Sequence, residues 1–151
     1  MIEIAIDGTA ASGKGTLGRN LSAKYGFPHL DTGLMFRAVA FKLLSQKNIK
    51  IKNLEILSCE IAKDLQLVKM NSQELRTEET GSMASKIANF FQLREILKCK
   101  QVEFANINKQ KFGGCILDGR DIGSVILPNA NFKFFITASI EIRAKRRLLE
   151  K

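Results

Sequence analysis

The chain has 151 residues, 45% apolar and 26% charged, with a net charge of +9. That profile fits one soluble globular domain around one core and excludes a low-complexity or fibrous chain. Uninterrupted apolar runs are only a few residues long, which excludes a membrane-spanning helix, and no basic segment followed by an apolar one precedes the first strand, so no signal peptide and a cytoplasmic location are expected.

Residues 2–6 read as a short buried strand ending at Asp7-Gly8. A glycine-rich turn follows, then a helix over residues 14–24 with Leu17 and Leu21 one turn apart. Residues 27–30 read as a second strand and residues 32–46 as a helix. Another helix is expected over residues 53–64, then a strand over residues 65–70 and a polar turn at Asn71-Ser72. Helical periodicity returns from Met83 to about Asn108, with Leu93, Ile96, Leu97 and Phe104 on one face. Cys115-Ile116-Leu117-Asp118 is a short strand ending in an acid, residues 132–136 form a fourth strand, and Ser139 can cap a last helix with Glu141 in its first turn. Strands alternating with helices imply an α/β fold: a parallel sheet with helices on both faces and ligands gathered at the carboxyl ends of the strands.

Cys59, Cys99 and Cys115 are odd in number and lack metal spacing, and His29 is the only histidine, so reduced core thiols are expected. The positive charge attracts anions. It is dispersed over lysines such as Lys42, Lys47, Lys50 and Lys52, without an arginine- and aromatic-rich signature. A solvated basic surface is expected, with no dedicated nucleic-acid or membrane partner.

The strongest motif is Gly8-Thr9-Ala10-Ala11-Ser12-Gly13-Lys14-Gly15-Thr16, between a strand and a helix. Glycines let the main chain turn its amides inward onto phosphate oxygens, and the following helix adds the positive end of its dipole, worth roughly 0.3–1 kcal/mol at an exposed site. Lys14 supplies a mobile charge for the β- and γ-phosphates of a nucleoside triphosphate. Asp118 ends an apolar strand as a magnesium-side carboxylate does, acting through water, or else it opens the turn before Gly119. Arg37 breaks a helix that is apolar nearly all round, so it binds an anionic group such as a substrate phosphate or pairs with a local acid at the surface. In Asp118-Gly119-Arg120-Asp121, Arg120 can bind phosphate and Asp121 can accept from an amino group, or the turn is internally ion-paired.

Four segments together resemble bacterial cytidylate kinases, of the P-loop nucleoside monophosphate kinase class. They are the run from Ile4 to Leu17, Leu30-Asp31-Thr32-Gly33-Leu34-Met35-Phe36-Arg37, Leu117-Asp118-Gly119-Arg120-Asp121-Ile122-Gly123, and Phe135-Ile136-Thr137-Ala138-Ser139 leading to Arg143-Ala144-Lys145-Arg146-Arg147. The resemblance runs from residue 2 to residue 151. It implies transfer of the ATP γ-phosphoryl group to CMP or dCMP with Mg²⁺. It places Lys14, Arg120 and Arg37 in catalysis, the last two on the acceptor phosphate, and Arg143 and Arg147 beside ATP. It puts Thr32 and Phe36 in the acceptor site, with Phe36 where tyrosine is usual, and makes Ser85, Arg94 and Asp121 readers of the cytosine edge. It implies one P-loop kinase domain over residues 1–151, with residues 1–31 and 112–151 as core and 32–111 as an acceptor-binding region with a shortened insert. The resemblance further implies a chain that stops before the family's lid and last strand, which leaves residues 132–136 as an exposed sheet edge. Two other readings remain at this point: a catalytically impaired nucleotide-binding remnant, and a P-loop kinase for a different small acceptor.

Overall fold

The computed structural model describes residues 1–46, 53–67 and 73–149. Among these the elements run β1 (Ile2–Gly8), α1 (Lys14–Tyr25), β2 (His29–Asp31), α2 (Thr32–Leu44), α3 (Leu54–Lys63), a short 3₁₀ turn (Gln73–Arg76), α4 (Glu78–Ile87), α5 (Phe91–Phe112), β3 (Gly114–Gly119), a single π-helical turn (Ile122–Ile126), β4 (Phe132–Ile136) and α6 (Ile140–Leu149). The strands form one sheet in the order β2-β3-β1-β4, and every neighbouring pair is parallel. The expected α/β class with a parallel sheet is therefore present.

The chain divides into two compact units, the first Met1–Thr32 with Gln101–Lys151, the second Gly33–Lys100. The first holds the sheet. β1 lies inside it because Ile4, Ala5 and Ile6 offer an apolar strand with one side chain to each face in turn. Ile4, Ile6 and Ile116 form a core on which Leu17 and Leu21 of α1, Phe27 and Ile136 pack. Full burial of each such isoleucine contributes about 1.5–3 kcal/mol. All six residues of β3 are buried, whereas β4 is exposed at every position but Ile136. β4 is an edge strand among the described residues, as expected.

The second unit is helical. Thr77 caps α4, its hydroxyl oxygen accepting from the Thr80 amide at 3.2 Å, with Glu78 and Glu79 in the first turn where the helix dipole favours acids. Met35, Val39, Leu43, Ile87, Leu93 and Leu97 are fully buried. The continuous helical stretch expected over residues 83–108 is two helices, separated at Ala88, Asn89 and Phe90. The strand expected over residues 65–70 is not formed at Leu65, Gln66 and Leu67, and the rest of it, like the Asn71-Ser72 turn and Lys47, Lys50 and Lys52, lies outside the described residues.

All three cysteines are free, but only Cys115 is a core thiol; Cys59 is half-buried and Cys99 exposed. Burial, followed by the nearby Glu3 carboxylate, pushes the Cys115 thiol up to about 11. Ser139 does cap α6, its hydroxyl oxygen accepting from the Ile142 amide at 3.4 Å. Among the described residues no helix is long and apolar enough to cross a membrane.

Candidate functional site

β1 ends at Gly8, and its extension into the loop requires glycine twice. Gly8 has φ +152° and a side chain there would collide with the Ile136 carbonyl of β4; Gly13, with φ +107°, turns the chain into α1. Between them Ala11 is also left-handed, at φ 57°. The loop from Gly8 to Thr16 thus wraps over the carboxyl end of β1. The first amides of α1 have no partner inside their own helix and carry its positive dipole end. The Lys14 ammonium folds back over the loop and donates to the Thr9 carbonyl at 2.9 Å. From α6, Arg146 donates through Nη1 to the carbonyls of Ala11, at 3.2 Å, and Ser12, at 2.9 Å. Those two carbonyls are engaged from outside, which favours a loop whose amides face the other way. The Ser12 hydroxyl is buried without a hydrogen-bond partner among the described residues.

The sequence singled out Arg143 and Arg147 of α6 as lying beside ATP; among the described side chains of α6, Arg146 is the one hydrogen-bonded to the loop. Arg143 is half-buried, and its Nε has no partner among the described residues. Arg147 lies in the same helix, and its side chain is outside the described part of the structure.

Parallel pairing sets the acids. Asp31 at the end of β2 is the register partner of Asp118 on β3, and Asp118 is in turn level with Ile6 of β1. Alternation along a strand therefore puts Asp118 on the Ile6 face, the one covered by α1. At the start of that helix Gly15 stands where other phosphate-binding loops carry a metal-binding hydroxyl. A β-carbon at Gly15 would lie 3.9 Å from Asp31 Oδ2, 4.0 Å from Asp118 Oδ2 and 3.2 Å from Arg19 Nη1. Asp118 is 3% exposed, and its Oδ2 lies 2.5 Å from His29 Nε2. The His29 ring fits because Gly18, facing it on α1, has no side chain. Thr32 donates from its hydroxyl to the Asp118 main-chain carbonyl at 2.9 Å. Two carboxylates supply hard oxygen donors of the kind that hold a hydrated Mg²⁺ through water, although the Arg19 guanidinium lies nearer to the same spot than either. Asp118 is therefore fixed at its main chain and at one carboxylate oxygen, rather than simply opening a turn.

The next residues leave the strand. Arg120 and Asp121 are both exposed, and neither side chain has a partner among the described residues. The internally ion-paired turn is not formed. Asp121 is left-handed, with φ 57° and ψ 24°. Asp7 accepts the amides of Ile122 and Gly123 just beyond it, at 2.7 and 2.8 Å.

The second unit holds the remaining candidates. Arg37 is half-buried on α2 and donates from Nη1 to the carbonyls of Leu75, at 2.9 Å, and Thr77, at 3.3 Å. It closes the turn before α4, whose Gly81 leaves room for the guanidinium. Ser85 is exposed and donates to the Gly81 carbonyl at 3.0 Å, which leaves its oxygen open as an acceptor. Arg94 is exposed near the start of α5, and Phe36 is half-buried.

Asp7, His29, Asp31 and Arg146 were missed as site residues. Asp31 carries the same strand-end signal that identified Asp118. Asp7, which directly precedes the loop's first glycine, and His29, the lone histidine, become informative only through residues distant in sequence.

A model of the family described as cytidylate kinase matches residues 4–151. The chain is 49% identical to a curated cytidylate kinase of Xanthobacter autotrophicus over 144 residues, 95% of this chain and 66% of that protein. It is 49% identical to one from Bartonella quintana over 147 residues, 97% of this chain and 66% of the relative, and 46% identical to one from Brucella suis over 147 residues, with 97% and 64% covered. The chain thus spans just under two thirds of the length of these curated relatives.

Proposed function

The chain belongs to the cytidylate kinase family, and on that premise we propose that it transfers the γ-phosphoryl group of ATP to CMP or dCMP, in the cytoplasm. An oxygen of the acceptor phosphate attacks the γ-phosphorus. The bond to the bridging β–γ oxygen breaks, and CDP or dCDP and ADP result. The observation that carries this reading is the neighbourhood of two loops. The phosphate-binding loop leaves β1 and the Arg120-Asp121 turn leaves β3, on adjacent parallel strands with Asp7 level with Gly119.

The amides of the loop and Lys14 hold the ATP phosphates. When ATP binds, Lys14 exchanges the Thr9 carbonyl for a phosphate oxygen, a stronger charge-assisted hydrogen bond. Arg146 keeps the loop carbonyls turned away from that charge, and Arg143 is assigned to ATP as well. Asp118, with Asp31 beside it, would hold Mg²⁺ through water; the ion neutralises charge on the β- and γ-phosphates. His29 and Thr32 keep Asp118 in place.

Arg120 takes the acceptor phosphate with its two-pronged guanidinium, and Asp121 accepts from the exocyclic amine of cytosine. In UMP a carbonyl replaces that amine, so an acceptor would face the carboxylate and this hydrogen bond would be lost. From the second unit, Arg37 is assigned to the acceptor phosphate and Ser85 and Arg94 to the base, with Thr32 and Phe36 in the acceptor site.

A coupled ADP-release assay with CMP, dCMP, UMP and AMP tests the proposal. Turnover with CMP or dCMP above that with UMP or AMP is expected. ATP binding without acceptor-dependent ADP release contradicts it.

A further inference from the structure

The carboxylate of Asp7 is turned away from the phosphates' side of the sheet. Its register partner on β3 is Gly119, one residue beyond Asp118, so alternation sends Asp7 to the face opposite Asp118 and α1. There it meets the chain leaving β3. Its two oxygens are divided between two successive amides, Oδ1 accepting from Ile122 at 2.7 Å and Oδ2 from Gly123 at 2.8 Å. Both are short, charge-assisted hydrogen bonds. Among the described residues Asp7 has no ion-pair partner. The ammonium of Lys133, whose stem lies near Gly123, is used instead on the Pro128 carbonyl at 2.6 Å. The two amides are therefore what compensates this half-buried charge.

The amides belong to the start of the π-helical turn Ile122–Ile126, and the residue before it is Asp121. Left-handed backbone at a non-glycine residue is disfavoured and persists where the surroundings hold it. Here it is held from both sides. The Asp121 carbonyl accepts from the amides of Val125, at 2.9 Å, and Ile126, at 3.2 Å, and Asp7 takes the next two amides in the chain. Among the described residues the side chains of Arg120 and Asp121 make no hydrogen bond or ion pair, so their placement depends on this backbone.

We propose that Asp7 is a positioning residue for the acceptor nucleotide: by accepting the Ile122 and Gly123 amides it holds Asp121 left-handed and so sets where Arg120 and Asp121 meet their ligand. Asp7 directly precedes Gly8, the first residue of the phosphate-binding loop. One residue thus sets the acceptor-binding turn against the end of the strand that feeds the donor loop. The inference rests on the activity proposed above for the assignment of that ligand as a cytidine monophosphate.

The test is calorimetric titration of the full chain with CMP, UMP and ATP, before and after Asp7→Asn. Asparagine keeps the size but places an NH₂ group where an oxygen stood, so one of the two amides faces a donor. CMP affinity is expected to fall about tenfold and the CMP-over-UMP preference to shrink, while ATP affinity changes by less than about threefold. Gly123→Ala attacks the same contact from the other side, because a β-carbon there would sit 3.2 Å from Asp7 Oδ2. It is expected to act in the same direction, and it decides the matter if Asp7→Asn does not fold. An unmodified chain that binds CMP and UMP equally overturns the activity reading and the inference together. An unmodified chain that prefers CMP, with the preference and affinity retained in the variant tested, overturns the inference alone. So does an equal loss of ATP and CMP affinity, which marks a general structural role.

Discussion

Arg120 in the first compact unit and Arg37 in the second carry the same cation, yet their surroundings differ. Arg120 stands exposed on a turn whose main chain is fixed by Asp7, and its own side chain has no partner among the described residues. Arg37 is half-buried and already donates to the carbonyls of Leu75 and Thr77. A ligand phosphate engages Arg120 at the cost of side-chain entropy alone. At Arg37 it must share or replace hydrogen bonds that hold the chain before α4. In the first unit the group that fixes the backbone is separate from the proposed ligand group, whereas in the second Arg37 itself holds the backbone.

The largest effect expected is at the loop proposed to hold ATP in the first unit. Lys14→Ala should remove the rise in Tm that saturating ATP produces, measured by thermal unfolding. An unchanged rise would break the comparison at its root, because the proposed loop would then not be where ATP binds. Next comes the arginine pair itself. Arg37→Ala should destabilise the ligand-free chain by about 1 kcal/mol, because two carbonyls lose a donor. Arg120→Ala should leave ligand-free stability within about 0.5 kcal/mol while weakening CMP binding roughly tenfold. Denaturant unfolding and calorimetry on both variants read the contrast directly; equal effects on ligand-free stability would dissolve it.

The smallest effect sharpens the picture of the first unit's core. Cys115 has its thiol raised from 9.0 to about 11, first by burial and then by Glu3. The folded chain then keeps a proton that the unfolded chain loses, so this contribution to stability is complete below pH 9.0 and is lost as pH rises towards about 11. A shallow alkaline decline in Tm is expected, reduced in Cys115→Ala relative to that variant's own value at neutral pH. At neutral pH a thiol reagent should label exposed Cys99 first, half-buried Cys59 next and Cys115 last.

What could be read from the chain before its coordinates follows the range of the interactions involved. The loop from Gly8 to Thr16 was legible because glycine, lysine and the flanking strand and helix lie within one short stretch. β4 was legible at both ends because Phe132 to Ile136 is bounded by polar residues. The break at Ala88-Asn89-Phe90 was not, since it contains neither glycine nor proline and the apolar period continues on either side. The loop contact of Arg146 was not legible, because arginines on one helix differ in which face meets the loop, and tertiary placement decides that. Asp7 was missed for the same reason: its partners Ile122 and Gly123 are 115 and 116 residues away. Arg37 reads in the sequence as a cation needing a partner, a ligand or an acid; its hydrogen bonds to the carbonyls of Leu75 and Thr77 carry no sequence signal, because those partners lie 38 and 40 residues away.

On the proposed activity, the amides from Gly8 to Thr16, with Lys14, receive the triphosphate. Amide-resolved NMR titration of the unmodified chain with ATP tests it most directly. The amides of Gly13, Lys14, Gly15 and Thr16 are expected to shift furthest and saturate together. Saturation elsewhere in the chain, with those four amides unmoved, would contradict it.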